Sequence, residues 1–219
     1  MGVLTKYVSN QPKTFFSFDI DAASIAYTRQ LLPDVKDAII EKDFLEVDLA
    51  EFGNEVTIIG NFPYNISSQL LFKIYDNRSL VKEVVCMIQK EVADRVASQP
   101  GTRASCILTI LLQAYYHVEF LFTVEPEAFQ PPPRVKSAVI RLVRNNQKQL
   151  DCDEIEFKKI VKNAFGLRRK TLRNALKNLN LPPSILGDEM LGKRAEELSV
   201  SDFVELTNKL MGHGSSNKL

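Results

Sequence analysis

Val56-Thr57-Ile58-Ile59-Gly60-Asn61-Phe62-Pro63-Tyr64 is the stretch on which the fold turns. Val56 to Gly60 is a short, mostly apolar, β-branched run and reads as a buried strand. Asn61 to Tyr64 then falls where that strand ends, and open α/β sheets bind ligands outside the carboxyl ends of their strands. An amide, a proline and an aromatic ring at such a place suit a flat heteroaromatic substrate. The Asn61 side-chain oxygen and a backbone carbonyl near Phe62-Pro63 can accept from an exocyclic amine. Pro63 fixes φ and shapes the loop, and the Tyr64 ring offers a stacking face worth about 1–3 kcal/mol per base. A plain loop, with Asn capping the next helix and Tyr packed as core, is the competing reading of the four residues alone. Asn65-Ile66-Ser67-Ser68 leads directly into an apolar helix carrying Leu70, Leu71 and Ile74, which makes the unit strand, loop, helix.

The whole chain bounds the alternatives. It has 219 residues, 45% of them hydrophobic, enough for one medium domain and a small one. Net charge is +1, so a nucleic-acid partner would have to be met by a local patch. Three cysteines (Cys86, Cys106, Cys152) lack C-x-x-C spacing, which fits a reducing, cytoplasmic compartment and argues against a disulfide framework or a zinc site. With His117 and His213 as the only histidines, no metal is expected. No apolar run is long enough for a bilayer span, so no membrane partner is expected.

Three blocks carry a family resemblance. Asn61-Phe62-Pro63-Tyr64-Asn65-Ile66-Ser67-Ser68 resembles the substrate loop of the S-adenosylmethionine-dependent ribosomal RNA adenine dimethyltransferases, most of which have Leu where this chain has Phe62. Glu127-Ala128-Phe129-Gln130-Pro131-Pro132-Pro133-Arg134-Val135-Lys136-Ser137-Ala138-Val139 resembles their F-x-P-P-P-K-V-x-S-A-V segment. Phe165-Gly166-Leu167-Arg168-Arg169-Lys170-Thr171-Leu172-Arg173-Asn174-Ala175-Leu176 resembles their F-x-x-R-R-K-T-[IL]-R-N-x-L helix. The implied fold is α/β: a Rossmann-like methyltransferase sheet over 1–147 and a small all-helical RNA-binding domain over 148–219. The polar Asn145–Gln149 stretch is the linker.

In chain order, Gly2-Val3-Leu4-Thr5 resembles the tail of the family's glycine-rich cofactor motif. The expectation is a sheet lacking its first strand and most of that loop, with cofactor binding weak or absent. Thr14–Asp21 reads as a strand ending in acid, before a helix over 22–32. A carboxylate there can accept from ribose hydroxyls or cap the helix; by family position Asp19 is the ribose ligand, with Ile20 beside it, and Asp21 is mainly a cap. Ala38–Leu45 reads as a strand ending at Asp43-Phe44, the family's adenine-amine acceptor and pocket wall. Further strands are expected at 83–89, 115–124 and 137–144, the last antiparallel and closing the sheet, with helices at 69–75, 90–96 and 105–114. Consecutive prolines hold the Phe129 loop rigid, and family position places Phe129 against the target adenine. Helices are expected over 154–165, 168–179 and from 200 to about 211, the last capped by Ser199. The Gly212–Lys218 tail reads as a frayed terminus.

Phe157 to Gly187 contains no acid and eight bases, a pattern that neutralises phosphates. Arg168, Arg169, Lys170 and Arg173 are the RNA-contact candidates there, with Arg134 and Lys136 in the second block. The resemblance implies dimethylation of N6 on two adjacent adenines near the 3′ end of small-subunit rRNA, on a pre-30S particle, by an enzyme monomeric in its full-length form. Asn61, Phe62, Pro63, Tyr64 and Phe129 would hold the base, and Gly2, Asp19, Ile20, Asp43, Phe44 and Asn61 the cofactor. A non-catalytic RNA or pre-ribosome binder is the alternative, motivated by the missing glycine loop; a DNA adenine methyltransferase is a weaker one.

Overall fold

A computed structural model of the chain describes residues 2–10 and 14–212. The 213–218 part of the expected frayed tail, with His213, lies outside the described residues. The chain divides into two compact units, Met1–Asn54 and Glu55–Leu219.

The first unit runs through helix α1 (Val3–Val8), strand β1 (Ser17–Asp19), helix α2 (Ala22–Leu31) and strand β2 (Ile39–Glu41). β1 and β2 pair in parallel, Ser17 opposite Ile39 and Asp19 opposite Glu41. Their core includes Ile25, Ile39 and Leu49. An aromatic chain lies beside it, with Phe52 edge-on to Phe16 at 4.7 Å and to Phe18 at 5.4 Å. Both strands are shorter than the sequence suggests. β2 stops before residue 45 because Asp43 leaves the strand to cap a 3-10 turn over Phe44–Glu46, accepting from the Leu45 N–H at 2.8 Å.

The second unit is built on a four-stranded mixed sheet, with β3 (Val56–Asn61), β4 (Val81–Gln89), β6 (Ser137–Arg144) and β5 (Tyr116–Val124) in that order. β3 and β4 are parallel; β6 runs antiparallel to both β4 and β5. The expected antiparallel β6 is present, but it is an inner strand and β5 is the edge. β6 buries Ser137 and then, alternately, Ala138, Ile140 and Leu142 toward one face, and it pairs with β4 and β5 along its two edges. Around the sheet lie α3 (Ser67–Asp76), α4 (Lys90–Val96) and α5 (Ile107–Gln113). α5 begins two residues later than expected. Cys106 is extended as its N-cap, and the Ser105 hydroxyl donates to the Gln99 carbonyl at 3.2 Å.

The C-terminal helices belong to the same compact unit. α6 (Glu154–Gly166) buries Phe157, Ile160, Val161, Ala164 and Phe165, one stripe at helical spacing. α8 (Val200–Leu210) answers with Phe203 and Leu206, and the Phe165 and Phe203 rings stack at 6.0 Å. Ser199 and Asp202 form the capping box that starts α8. The expected helix over 168–179 is not continuous. Only α7 (Leu172–Ala175) and a 3-10 turn over Lys177–Leu179 are helical. The chain leaves the helix at Leu167, Thr171 bridges Arg194, and the Leu172 N–H donates to the Lys193 carbonyl at 2.8 Å. A tertiary partner thus replaces the local helical bonds. No described helix is long and apolar enough to cross a membrane.

Candidate active site

Strand direction gathers the candidate substrate residues at one end of the four-stranded sheet. Parallel β3 and β4 finish there, at Asn61 and Gln89. Antiparallel β6 starts there, with Ser137 opposite Gln89, and β5 finishes there, with Val124 opposite Ser137. The loop 125–136 that carries Phe129 therefore leaves and returns at the end where the Asn61 loop emerges. Phe129 caps a 3-10 turn over Pro126–Ala128, donating its N–H to the Pro126 carbonyl, and its ring is half-buried.

The loop after β3 is held at each residue. Asn61 still pairs with Met87, and the Phe62 N–H adds one more rung by donating to the Met87 carbonyl at 3.0 Å. The Phe62 ring turns inward and is buried. The Pro63 carbonyl is already satisfied: it accepts from the Ile66 N–H at 3.2 Å and from the buried Ser67 hydroxyl at 3.0 Å. Of the two carbonyls that the sequence leaves open as amine acceptors, Phe62 is the one without a donor among the described residues. The exposed Asn61 amide is likewise unengaged. Tyr64 is half-exposed, and its hydroxyl lies 2.5 Å from that of Ser137. The end of the sheet thus offers two open acceptors, Asn61 Oδ1 and Phe62 O, beside a tethered ring. Ser67 and Ser137, which fix these positions, lie inside the quoted blocks but carry no signal of their role in sequence; only their partners reveal it.

In the first unit, Asp19 ends β1, is exposed, and accepts the Asp21 N–H on Oδ1 at 3.0 Å. Its second oxygen has no partner among the described residues and can take ribose hydroxyls. Asp21 is a helix cap: its carboxylate accepts from the Ala23 and Ser24 N–H groups and from the Ser24 hydroxyl at 2.6 Å. These bonds, led by the Ser24 hydroxyl, hold its pKa below the ordinary value. Ile20 is exposed. The Phe44 ring leans on Phe18 at 5.8 Å. Gly2 sits at φ 65°, a left-handed conformation that favours glycine, and a methyl there would stand 3.2 Å from the Thr28 side chain. The exposed Asp19 carboxylate at the end of β1 and the half-buried Asp43 just beyond β2, each followed by an apolar side chain, fit an adenosine-containing cofactor.

The acid-free basic run is divided by its partners. Arg168 donates from Nε to Glu196 at 2.8 Å and from Nη2 to the Arg103 carbonyl. Lys158 pairs with Asp76, and Lys159 with Glu156 at 3.0 Å. Lys136 pairs with Glu125 at 3.0 Å. Arg134, Arg169, Lys170 and Arg173 are exposed and have no acidic partner among the described residues.

Comparison with known proteins places this arrangement. Residues 1–209 match the family model described as ribosomal RNA adenine dimethylase. Over 214 residues the chain is 51% identical to ribosomal RNA small subunit methyltransferase A of Cytophaga hutchinsonii, covering 97% of this chain and 83% of that protein. It is 46% identical over 213 residues to the protein of the same name from Bacteroides fragilis, covering 96% and 78%. Among solved structures, a dimethyladenosine transferase from Plasmodium falciparum superposes with a TM-score of 0.79 at 25% identity, over 96% of this chain and 87% of that one. The 23S rRNA methyltransferase ErmE, at 20% identity and a TM-score of 0.72 over 96% and 87%, shares the fold. The chain belongs to the ribosomal RNA adenine dimethylase family, S-adenosylmethionine-dependent rRNA adenine dimethyltransferases with a Rossmann-like fold.

Proposed function

We propose that this chain dimethylates N6 of two adjacent adenines near the 3′ end of small-subunit rRNA, on a pre-30S particle in the cytoplasm, as a step of ribosome biogenesis. The observation that carries the reading is the pair of open acceptors, Asn61 Oδ1 and Phe62 O, at the end of β3 beside the Tyr64 ring. An adenine amine is a weak nucleophile because its lone pair is delocalised into the ring. Two acceptors on its hydrogens draw that pair back toward nitrogen. Tyr64 and Phe129 hold the extruded base by its faces. The amine loses its proton after attack, so the site needs no strong base and works chiefly by positioning. Bound S-adenosylmethionine supplies an electrophilic sulfonium methyl. Asp19, Asp43, Gly2, Ile20 and Phe44 would hold it, with Asp19 on the ribose and Asp43 on the adenine amine. The helical region 148–219 carries RNA through Arg169, Lys170 and Arg173, joined by Arg134.

The experiment is transfer of labelled methyl to unmethylated small-subunit particles, with the product nucleosides resolved by mass spectrometry. Dimethyladenosine from the wild-type chain, its loss in Asn61→Ala and competition by RNA but not DNA oligonucleotides are expected. RNA binding without any methylated product would overturn the catalytic reading in favour of a non-catalytic RNA binder.

A further inference from the structure

We propose that Ser137 is a positioning residue of the methyl-transfer site: its buried hydroxyl tethers the Tyr64 phenol and so fixes the ring face on which the target base stacks. The inference rests on the reading of the Asn61–Tyr64 loop as the adenine site. Ser137 is the first residue of β6, fully buried, and paired on both sides, with Gln89 of β4 and Val124 of β5. Few positions in the sheet have less freedom. Tyr64 comes from the loop after β3, whose strand is separated from β6 by β4. Its phenol therefore reaches across the end of β4 to meet Ser137 at 2.5 Å. The other end of the Tyr64 ring is fixed by a backbone whose neighbours are themselves held, Phe62 by Met87 and Pro63 by Ser67.

A phenylalanine at 64 would bury much the same area and stack on a base as well. What the hydroxyl adds is a second anchor point, so the ring is oriented before the base arrives and less order is lost on binding. The same Ser137 begins the strand that ends the Phe129 loop, so one rigid residue references both aromatic elements of the site. The bond also engages the phenol, which makes Tyr64 a platform for the base rather than a proton carrier for its amine.

The test is a double-mutant cycle with Tyr64→Phe, Ser137→Ala and the pair, read by methyl transfer to small-subunit particles. A parallel readout is the fluorescence of an RNA oligonucleotide carrying 2-aminopurine at the target position. Each single variant is expected to lower kcat about tenfold, short of the roughly 10²-fold cost of displacing a reacting group by 1 Å, with KM for RNA little changed. The double variant should be no worse than either single, because both remove one bond. In both singles, the quenching of bound 2-aminopurine by the stacked ring should weaken. Wild-type kcat in Tyr64→Phe, or losses that simply multiply in the double variant, would overturn the proposal while leaving the adenine site intact. A wild-type chain that neither transfers methyl nor quenches bound 2-aminopurine would overturn the site reading and this inference with it. Tyr64→Phe is isosteric and half-exposed, so it reports even if burying Ala at 137 impairs folding.

Discussion

Gly60 and Phe62 are fitted to each other: a methyl on Gly60 would stand 2.6 Å from Cε1 of the Phe62 ring and 3.0 Å from Cδ1. The ring covers a glycine because no side chain there keeps it away. Both residues flank Asn61, so the fit sets where the Asn61 amide and the Phe62 carbonyl point. Gly60→Ala should push the buried ring aside, costing about 1–3 kcal/mol of stability as overpacking and lowering methyl transfer about tenfold or more. A smaller side chain at 62 removes the collision, so Gly60→Ala with Phe62→Leu should recover most of both losses. Denaturant melts and single-turnover rates on the two variants check this. A Gly60→Ala protein with unchanged rate would remove the pair from the account of the site.

Asp19 is exposed and supports little besides one turn. Asp19→Ala should therefore change stability by less than about 0.5 kcal/mol. It should weaken S-adenosylmethionine by roughly 10-fold to 100-fold, the worth of charge-assisted hydrogen bonds. Asp43→Ala should weaken the cofactor and also destabilise the 3-10 turn it caps. Calorimetric titration beside a denaturant melt separates the two, and equal cofactor affinity in wild type and Asp19→Ala would count against the ribose assignment.

Arg168 and Arg169 are neighbours in sequence with different employment. Arg169→Ala and Arg173→Ala should each reduce the salt slope of RNA affinity by roughly 0.7–0.9 without moving the melting temperature. Arg168→Ala leaves the Glu196 carboxylate, only 13% exposed, without its guanidinium. It should cost about 1 kcal/mol of stability, while its salt slope stays nearer that of the wild type. A slope unchanged in Arg169→Ala and Arg173→Ala, or steeply reduced in Arg168→Ala, would reverse the assignment.

Glu154 joins the helical region to the sheet. It accepts from the Tyr115 hydroxyl at 2.5 Å and the Leu150 N–H at 3.0 Å, and pairs with Arg78. Burial works to raise its pKa, but these bonds outweigh it and hold the carboxyl below its ordinary value. The depressed folded value means that this contribution is complete above the unfolded pKa of about 4.3. It is lost as pH falls from there through the lower folded value. Glu154→Gln should cost about 1–3 kcal/mol near neutral pH and should flatten the dependence of stability on pH below about 4.3. Urea midpoints across pH 3–7 for both proteins measure it, and parallel curves would rule out this carboxylate as the source.

Burial also raises the Tyr75 and Tyr116 phenols, each to about 12, and the Cys86 thiol likewise to about 12. Alkaline titration should find these two tyrosines ionising only as the protein unfolds.

Local pattern was enough to read much of this protein. The apolar β-branched run at 56–60, the alternation along 137–144 and the Ser199–Asp202 box each determine an element by nearest-neighbour physics, and the structure has all three. The place of the Asn61–Tyr64 loop at a strand end was legible because the β-branched run before it sets where that strand stops. Tertiary structure decided what depends on partners distant in sequence. The Phe62 N–H is spent on the Met87 carbonyl of a neighbouring strand, a partner invisible in the letters. Ser137 meets Tyr64 across 73 residues. Thr171 and the Leu172 N–H are held by contacts near Arg194, so the helix expected from 168 starts only at Leu172, because a bridge to a later segment outweighs weak local propensity. The basic run looks uniform in sequence, yet the acids that neutralise part of it stand outside it, at Asp76, Glu156 and Glu196. Charge pairing is a property of distance in space, and only the fold supplies that distance.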